Sequence, residues 1–167
     1  YQYTYSFNKN KRIKYYIVDI LEVLLLSSFF LKNKPGLIFS KKTTKQNKLA
    51  KKKIFLIPKD NLDLLKNIKF NLVFNSCSLS EMSKESCNVY EKLINSHTKK
   101  GSIFYHINHD LRIKYKNRNN YSENKFGSKI ISQYDNFKLI KKFKRRNNLP
   151  EDKLFKYNEF IYKKISN

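Results

Sequence analysis

Apolar residues fall along this chain in short dense runs, separated by polar connections rich in lysine. Tyr15-Tyr16-Ile17-Val18-Asp19 has the length and composition of a buried strand that ends in an acid. Residues 21–31 continue as a helix, amphipathic to largely buried, that stops near Lys34-Pro35-Gly36. Residues 36–40 could form a short extra strand. Ile54-Phe55-Leu56-Ile57-Pro58 is a second confident strand, closed by proline and followed by a turn at Lys59-Asp60-Asn61. Residues 62–67 read as one or two helical turns that pack Leu62 and Leu65. The run Phe70-Asn71-Leu72-Val73-Phe74 is the next strand, and Asn75 to Ser78 supply its polar corner. Ser78-Leu79-Ser80-Glu81 has the spacing of a capping box, which predicts a helix over residues 83–95. Lys99-Lys100-Gly101 is the expected stop, residues 102–107 the following strand, and Asn108-His109-Asp110 its polar corner. Residues 114–127 read as a long basic loop, and residues 130–135 as ambiguous. Residues 137–145 and 154–165 look like two strands joined by a turn-rich link at 147–152.

Strands alternating with helices favour an α/β fold with a mostly parallel sheet and right-handed crossovers, and the final hairpin adds an antiparallel edge. In such sheets a strand that ends in polar residues and feeds a helix builds a ligand crevice at the carboxyl edge. Asp19 has two readings there. Its oxygens could accept the hydroxyls of a ribose, or it could cap the helix that follows.

Composition narrows the class without naming a function. With 167 residues, 40% hydrophobic and 15% aromatic, the chain can build one core and is not wholly disordered. The formal charge of +23 invites a nucleic-acid-binding module as an alternative function. Lys, Asn, Ile, Phe and Tyr are abundant together while Gly, Ala and Pro are scarce, a joint bias typical of an AT-rich coding sequence. Nucleic-acid binding is therefore not the favoured reading. The lysine-rich stretch 41–53, a basic loop or insertion, also lacks interleaved aromatics for base stacking. Cys77 and Cys87 form no CxxC pattern, which favours reduced thiols and a cytoplasmic protein. The apolar run at 15–31 carries Asp19 and Glu22 and is shorter than the roughly 20 residues of a membrane span. No His and carboxylate spacing announces a metal site, and no Ser-His-Asp arrangement or phosphate-binding glycine loop is visible.

Three stretches resemble class I S-adenosylmethionine-dependent methyltransferases, and more narrowly the bacterial sugar O-methyltransferase family. Tyr16-Ile17-Val18-Asp19-Ile20-Leu21-Glu22 resembles that family's strand and Asp-Leu-Pro-Glu segment. Phe55-Leu56-Ile57-Pro58 resembles the strand that follows. The stretch from Phe70 to Met82 resembles the signature Asp-Leu-(Val/Phe)-Ile-Asn-x-x-Ser-(Phe/Leu)-x-Glu-Met, with Asn71, Asn75, Ser78, Glu81 and Met82 in place. The last match is the most specific, and together they cover residues 15–108. Leu21 replaces the family's Pro and Asn71 its Asp. No glycine-rich loop precedes Asp19, because Gly36, Gly101 and Gly127 all follow it.

The resemblance implies a Rossmann-like methyltransferase sheet present as one partial domain, lacking its first strand and glycine-rich loop, with residues 1–14 the remnant of a preceding element. It implies S-adenosyl-L-methionine as cofactor and a sugar or glycan hydroxyl as methyl acceptor. Asp19 would hold the cofactor ribose, Asp60 would lie near the adenine, and Asn75 and Ser76 would line the crevice beneath the methyl donor. Ser78 and Asn108 would face the acceptor. Methyl transfer is an in-line displacement that rests on alignment, with a base to take the hydroxyl proton. Glu81 and His109 are the candidates for that base; the alternatives are a helix cap for Glu81 and an ordinary loop histidine for His109. His106 is expected to be structural in the sheet, and His97 to sit favourably at a helix end.

Overall fold

Each apolar run becomes a strand or a helix at nearly the expected place. The structure, a computed structural model, describes residues 14–31, 37–39, 54–111, 124–144 and 157–167. The basic stretch at 41–53, most of the 114–127 loop, the 147–152 link and nearly all of the 1–14 stretch lie outside the described residues. The chain divides into two compact units, Tyr1–Lys66 and Asn67–Asn167.

In the first unit β1 (Tyr15–Asp19), α1 (Leu21–Leu31), β2 (Leu37–Phe39) and β3 (Ile54–Pro58) form a parallel sheet in the order β1-β3-β2, with α1 packed on it. The central strand β3 is buried along its whole length, which is why its sequence is continuously apolar rather than alternating. Tyr16 stacks on Phe55 at 4.6 Å. Pro58 closes β3 and a 3-10 segment, Lys59–Leu65, follows with Leu65 buried and Leu62 half-buried. Helix α1 departs from expectation. Leu24 and Leu31 are buried against Ile54 and Leu56, but Leu21, Val23, Leu25, Leu26, Phe29 and Phe30 are exposed. Its apolar residues occupy every side, and one contact with a sheet covers only one stripe.

In the second unit β4 (Phe70–Ser76), α2 (Lys84–His97), β5 (Thr98–His109), β6 (Phe137–Lys144) and β7 (Tyr157–Lys164) form a mixed sheet in the order β4-β5-β7-β6. β4 and β5 are parallel, and β7 runs antiparallel to both β5 and β6, so the C-terminal hairpin forms and inserts β7 beside β5. The core gathers Leu79, Cys87, Ile94, Phe104, Ile130, Ile131, Phe137, Phe160 and Tyr162.

Three local expectations are corrected. Ser78 does not cap a helix: its backbone lies at φ −117°, ψ −37°, and only one 3-10 turn, Leu79–Glu81, follows before the chain extends again at Met82. The cap of α2 is Ser83, which is extended and accepts a 3.2 Å hydrogen bond from the Ser86 amide. Gly101 does not stop that helix. It lies inside β5 at φ +90°, where the register with β4 shifts between Phe70 and Leu72 and the extra residues need a left-handed position. Asn108 and His109 are likewise not a loop corner. They are the last residues of β5, and both are fully buried.

Candidate functional site

The parallel neighbours β4 and β5 carry their polar residues at the same end. Asn75 pairs in register with His106, so Asn108 projects one step beyond the end of β4. Cys77, at φ +58°, turns the chain sharply there while its amide still donates to the Ile107 carbonyl at 2.7 Å. The turn brings Ser78, Ser80 and Glu81 back over the strand ends.

One backbone amide fixes the direction of the network that results. The Ser80 N–H can only donate, and it donates to Asn108 Oδ1 at 3.0 Å. The Asn108 Nδ2 must then be the donor to Asn75 Oδ1 and to His106 Nδ1, both at 3.1 Å. Asn75 in turn presents its Nδ2 to the Ser78 hydroxyl. The Ser80 hydroxyl donates to Asn108 Oδ1 at 3.0 Å and accepts from the His109 amide at 3.3 Å. Asn108 thus makes all four of its hydrogen bonds inside the protein, and the network runs in one sense throughout.

His106 lies between Phe104 and Phe160, with ring centroids at 4.8 and 4.7 Å. Because its Nδ1 accepts, its proton sits on Nε2, a buried atom without a partner among the described residues. Burial pushes the imidazole down to about 3, opposed by the charge of Asp110, so the ring is neutral at physiological pH. His109 is set the same way. Its Nδ1 accepts from the Leu111 amide at 3.2 Å, which places the proton on Nε2. Burial lowers its pKa, and the carboxylates of Glu81 and Asp110 oppose that shift.

Glu81 is the exposed carboxylate of this cluster, and the Tyr157 hydroxyl donates to its Oε1 at 3.2 Å. The Tyr157 ring also meets the edge of His109 at 5.5 Å. Asn124 ties the rim together, donating to the Ser80 carbonyl at 2.9 Å and to the Leu111 carbonyl at 2.8 Å. Gly127 packs directly on Asn108: a Cβ there would stand 3.1 Å from the Asn108 carbonyl carbon. Ser76 neighbours Asn75 in β4, so its side chain lies on the opposite face of the sheet.

In the first unit Asp19 and Pro58 are register partners at the carboxyl edge, and Asp60 follows in the exposed 3-10 turn. Asp19 Oδ1 accepts from the Ile20 amide at 2.8 Å, while the Ile20 carbonyl receives the first helical bond from Leu24. Asp19 therefore stands one residue before the capping position.

The expected residues Asn75, Ser78, Glu81, Asn108 and His109 come together, whereas Asp19 ends β1 and Asp60 follows the neighbouring strand β3 in the first unit. Ser80, Asn124 and Tyr157 were not foreseen. Tyr157 is opposite His109 only through the antiparallel register of β7, and Ser80 only through the turn at Cys77. Glu91 was also missed. Buried in α2, it accepts from Lys125 Nζ at 2.6 Å, the Ile131 amide at 3.1 Å and Gln133 Nε2 at 2.7 Å. It secures the chain that packs over the site. His97, at the end of α2, bonds the Ile68 carbonyl through Nδ1 at 2.9 Å.

No family model and no curated protein sequence matches the chain. Solved structures do. The PH0226 protein of Pyrococcus horikoshii OT3 is similar with a TM-score of 0.51 at 14% identity, covering 97% of this chain and 87% of that one. An S-adenosylmethionine-dependent methyltransferase from Clostridium acetobutylicum is similar with a TM-score of 0.50 at 13% identity, covering 99% of this chain and 89% of that one. At these identities the likeness is one of fold: an α/β architecture shared with a methyltransferase. Among the described residues no helix is long and apolar enough to cross a membrane.

Proposed function

We propose that the protein is an S-adenosyl-L-methionine-dependent O-methyltransferase acting on a sugar hydroxyl. The observation that carries the reading is the directed network at the carboxyl ends of β4 and β5, with Glu81 exposed at its rim. The shared methyltransferase fold and the Asn75, Ser78, Glu81 and Met82 pattern support it.

In the first unit, Asp19 and Asp60 suit the ribose and adenine of the cofactor. Asp19 is anchored through Oδ1 at a strand end, which leaves Oδ2 to accept a ribose hydroxyl. Asp60 follows the neighbouring strand and is exposed, as a contact to the adenine amine requires. When bound, S-adenosyl-L-methionine supplies a methyl group on a sulfonium centre. The protein's own part is alignment and one proton. Asn75 and Ser78 form the wall beside the acceptor. Asn108 and Ser80 hold that wall from behind, so Asn108 positions the acceptor side rather than touching the sugar. Glu81, oriented by Tyr157, takes the hydroxyl proton. His109 is buried with Nδ1 already accepting, so it supports Tyr157 and leaves proton removal to Glu81.

The test is calorimetric titration of the chain with S-adenosyl-L-methionine. One-site binding, weakened at least about tenfold by Asp19→Ala, is expected. No binding overturns the proposal.

A further inference from the structure

The second unit's core lies on one face of its sheet, where Phe104, Phe160 and Tyr162 meet Leu79, Cys87 and Ile94. Strand register defines the other face in three rows across β4, β5, β7 and β6. The first is Leu72, Ile103, Lys163 and Lys138; the second is Phe74, Tyr105, Ile161 and Lys141; the third is Ser76, Ile107, Glu159 and Phe143. Ile107 is the buried member, whereas Leu72 is 60%, Phe74 56% and Phe143 39% exposed. A parallel pair such as β4 and β5 is ordinarily covered on both faces. An exposed apolar face of this kind marks a place of association.

The face is divided by chemistry. Its β4 and β5 half is apolar. Its β6 and β7 half presents Lys138, Lys141 and Lys163, and Lys138 stands directly opposite Lys163 in the register. Like charges directly opposite on one face destabilise a sheet, and an anionic partner relieves that repulsion. Among the described residues Glu159 forms no salt bridge with these lysines; its carboxylate accepts the Tyr105 hydroxyl. A second copy of this face would bring lysines against lysines in one docking sense. Single-stranded nucleic acid would stack on aromatic rings, but four of the seven apolar residues in the three rows are aliphatic.

We infer that this face docks an amphipathic helix of a separate polypeptide, its apolar stripe lying over Leu72, Phe74 and Ile103 and its acidic flank meeting Lys138, Lys141 and Lys163. The inference stands apart from the methyltransferase reading and uses none of its residues.

The probe is a labelled helical peptide with leucine at helical spacing and glutamate along one flank, followed by fluorescence anisotropy on the full chain. Its control carries lysine in place of glutamate. Saturable binding of the acidic peptide is expected, weakened at least about tenfold by Phe74→Asp and likewise by Leu72→Asp. Both side chains are largely exposed, and circular dichroism confirms that the variants fold. Lys138→Glu with Lys141→Glu should transfer the preference to the lysine peptide. Equal affinity for the two peptides, or indifference to both aspartate variants, overturns the inference. So does displacement of the acidic peptide by oligouridylate or by phosphatidylserine vesicles, which would assign the face to nucleic acid or membrane. Protection of the Leu72 and Phe74 side chains from hydroxyl-radical labelling in the chain alone would show the face already covered, and would overturn it too.

Discussion

Asn108→Ala removes the residue on which the site's hydrogen bonds converge. Asn108 is fully buried and engages the Ser80 amide, the Ser80 hydroxyl, Asn75 and His106. The Ser80 hydroxyl can rotate and Asn75 is half-buried, so those two can find other partners. The Ser80 amide and His106 Nδ1 cannot, and each buried orphan costs about 1–3 kcal/mol. The expected loss is therefore ~2–6 kcal/mol, nearer the low end if a water enters the vacated space. Against a total stability of about 5–15 kcal/mol this is large. Urea unfolding followed by circular dichroism and tyrosine fluorescence measures it, the latter convenient because the chain has 12 Tyr and no Trp. Ser80→Ala alone should cost about 1 kcal/mol, and the double variant should lose less than the sum, since both act on one network. A loss for Asn108→Ala below about 0.5 kcal/mol, or strict additivity with Ser80→Ala, would refute the network as described.

Further outcomes follow from the same geometry. His106 is held neutral down to about 3, below its unfolded value, so the unfolded chain binds more protons as pH falls and stability drops. Between pH 7 and 4 this one group should remove ~3 kcal/mol, and His106→Phe should flatten that part of the slope; an unchanged slope contradicts it. The Cys87 thiol is buried and pushed up to about 12 by burial and by Glu91, whereas Cys77 is half-buried at a turn. A thiol reagent should therefore modify one cysteine in the native chain and both in urea, with mass spectrometry placing the first at Cys77. Glu91→Ala leaves Lys125 without its buried carboxylate and should cost about 3–5 kcal/mol in urea unfolding; a near-neutral result would mean the pair does not clamp residues 124–133.

Element types were legible because burial leaves a direct trace in sequence. The apolar run of β3 is buried along its whole length, and the two C-terminal strands form as an antiparallel hairpin. What was not legible depended on tertiary register. The Ser78 to Glu81 spacing satisfies the capping pattern, yet Asn75 claims the Ser78 hydroxyl and the cap moves to Ser83. The Asn108-His109 pair looked like a loop because both are polar. β5 can keep them buried because Ser80, Asn75 and Leu111 supply partners from three different places. Tyr157 and Glu91 carry no local signature at all, since their partners lie far away in the chain. The exposed surface of α1 was also unreadable, because an apolar helix does not announce which of its sides will meet the sheet.

The proposed methyl transfer to a sugar hydroxyl at the rim over β4 and β5 is tested by transfer of labelled methyl from S-adenosyl-L-methionine to a saccharide panel by the wild type and by Glu81→Gln. Transfer by the wild type is expected, falling at least about a hundredfold in kcat in Glu81→Gln with cofactor affinity unchanged. Transfer that is indifferent to Glu81→Gln, or none to any saccharide from a form that binds the cofactor, would contradict it.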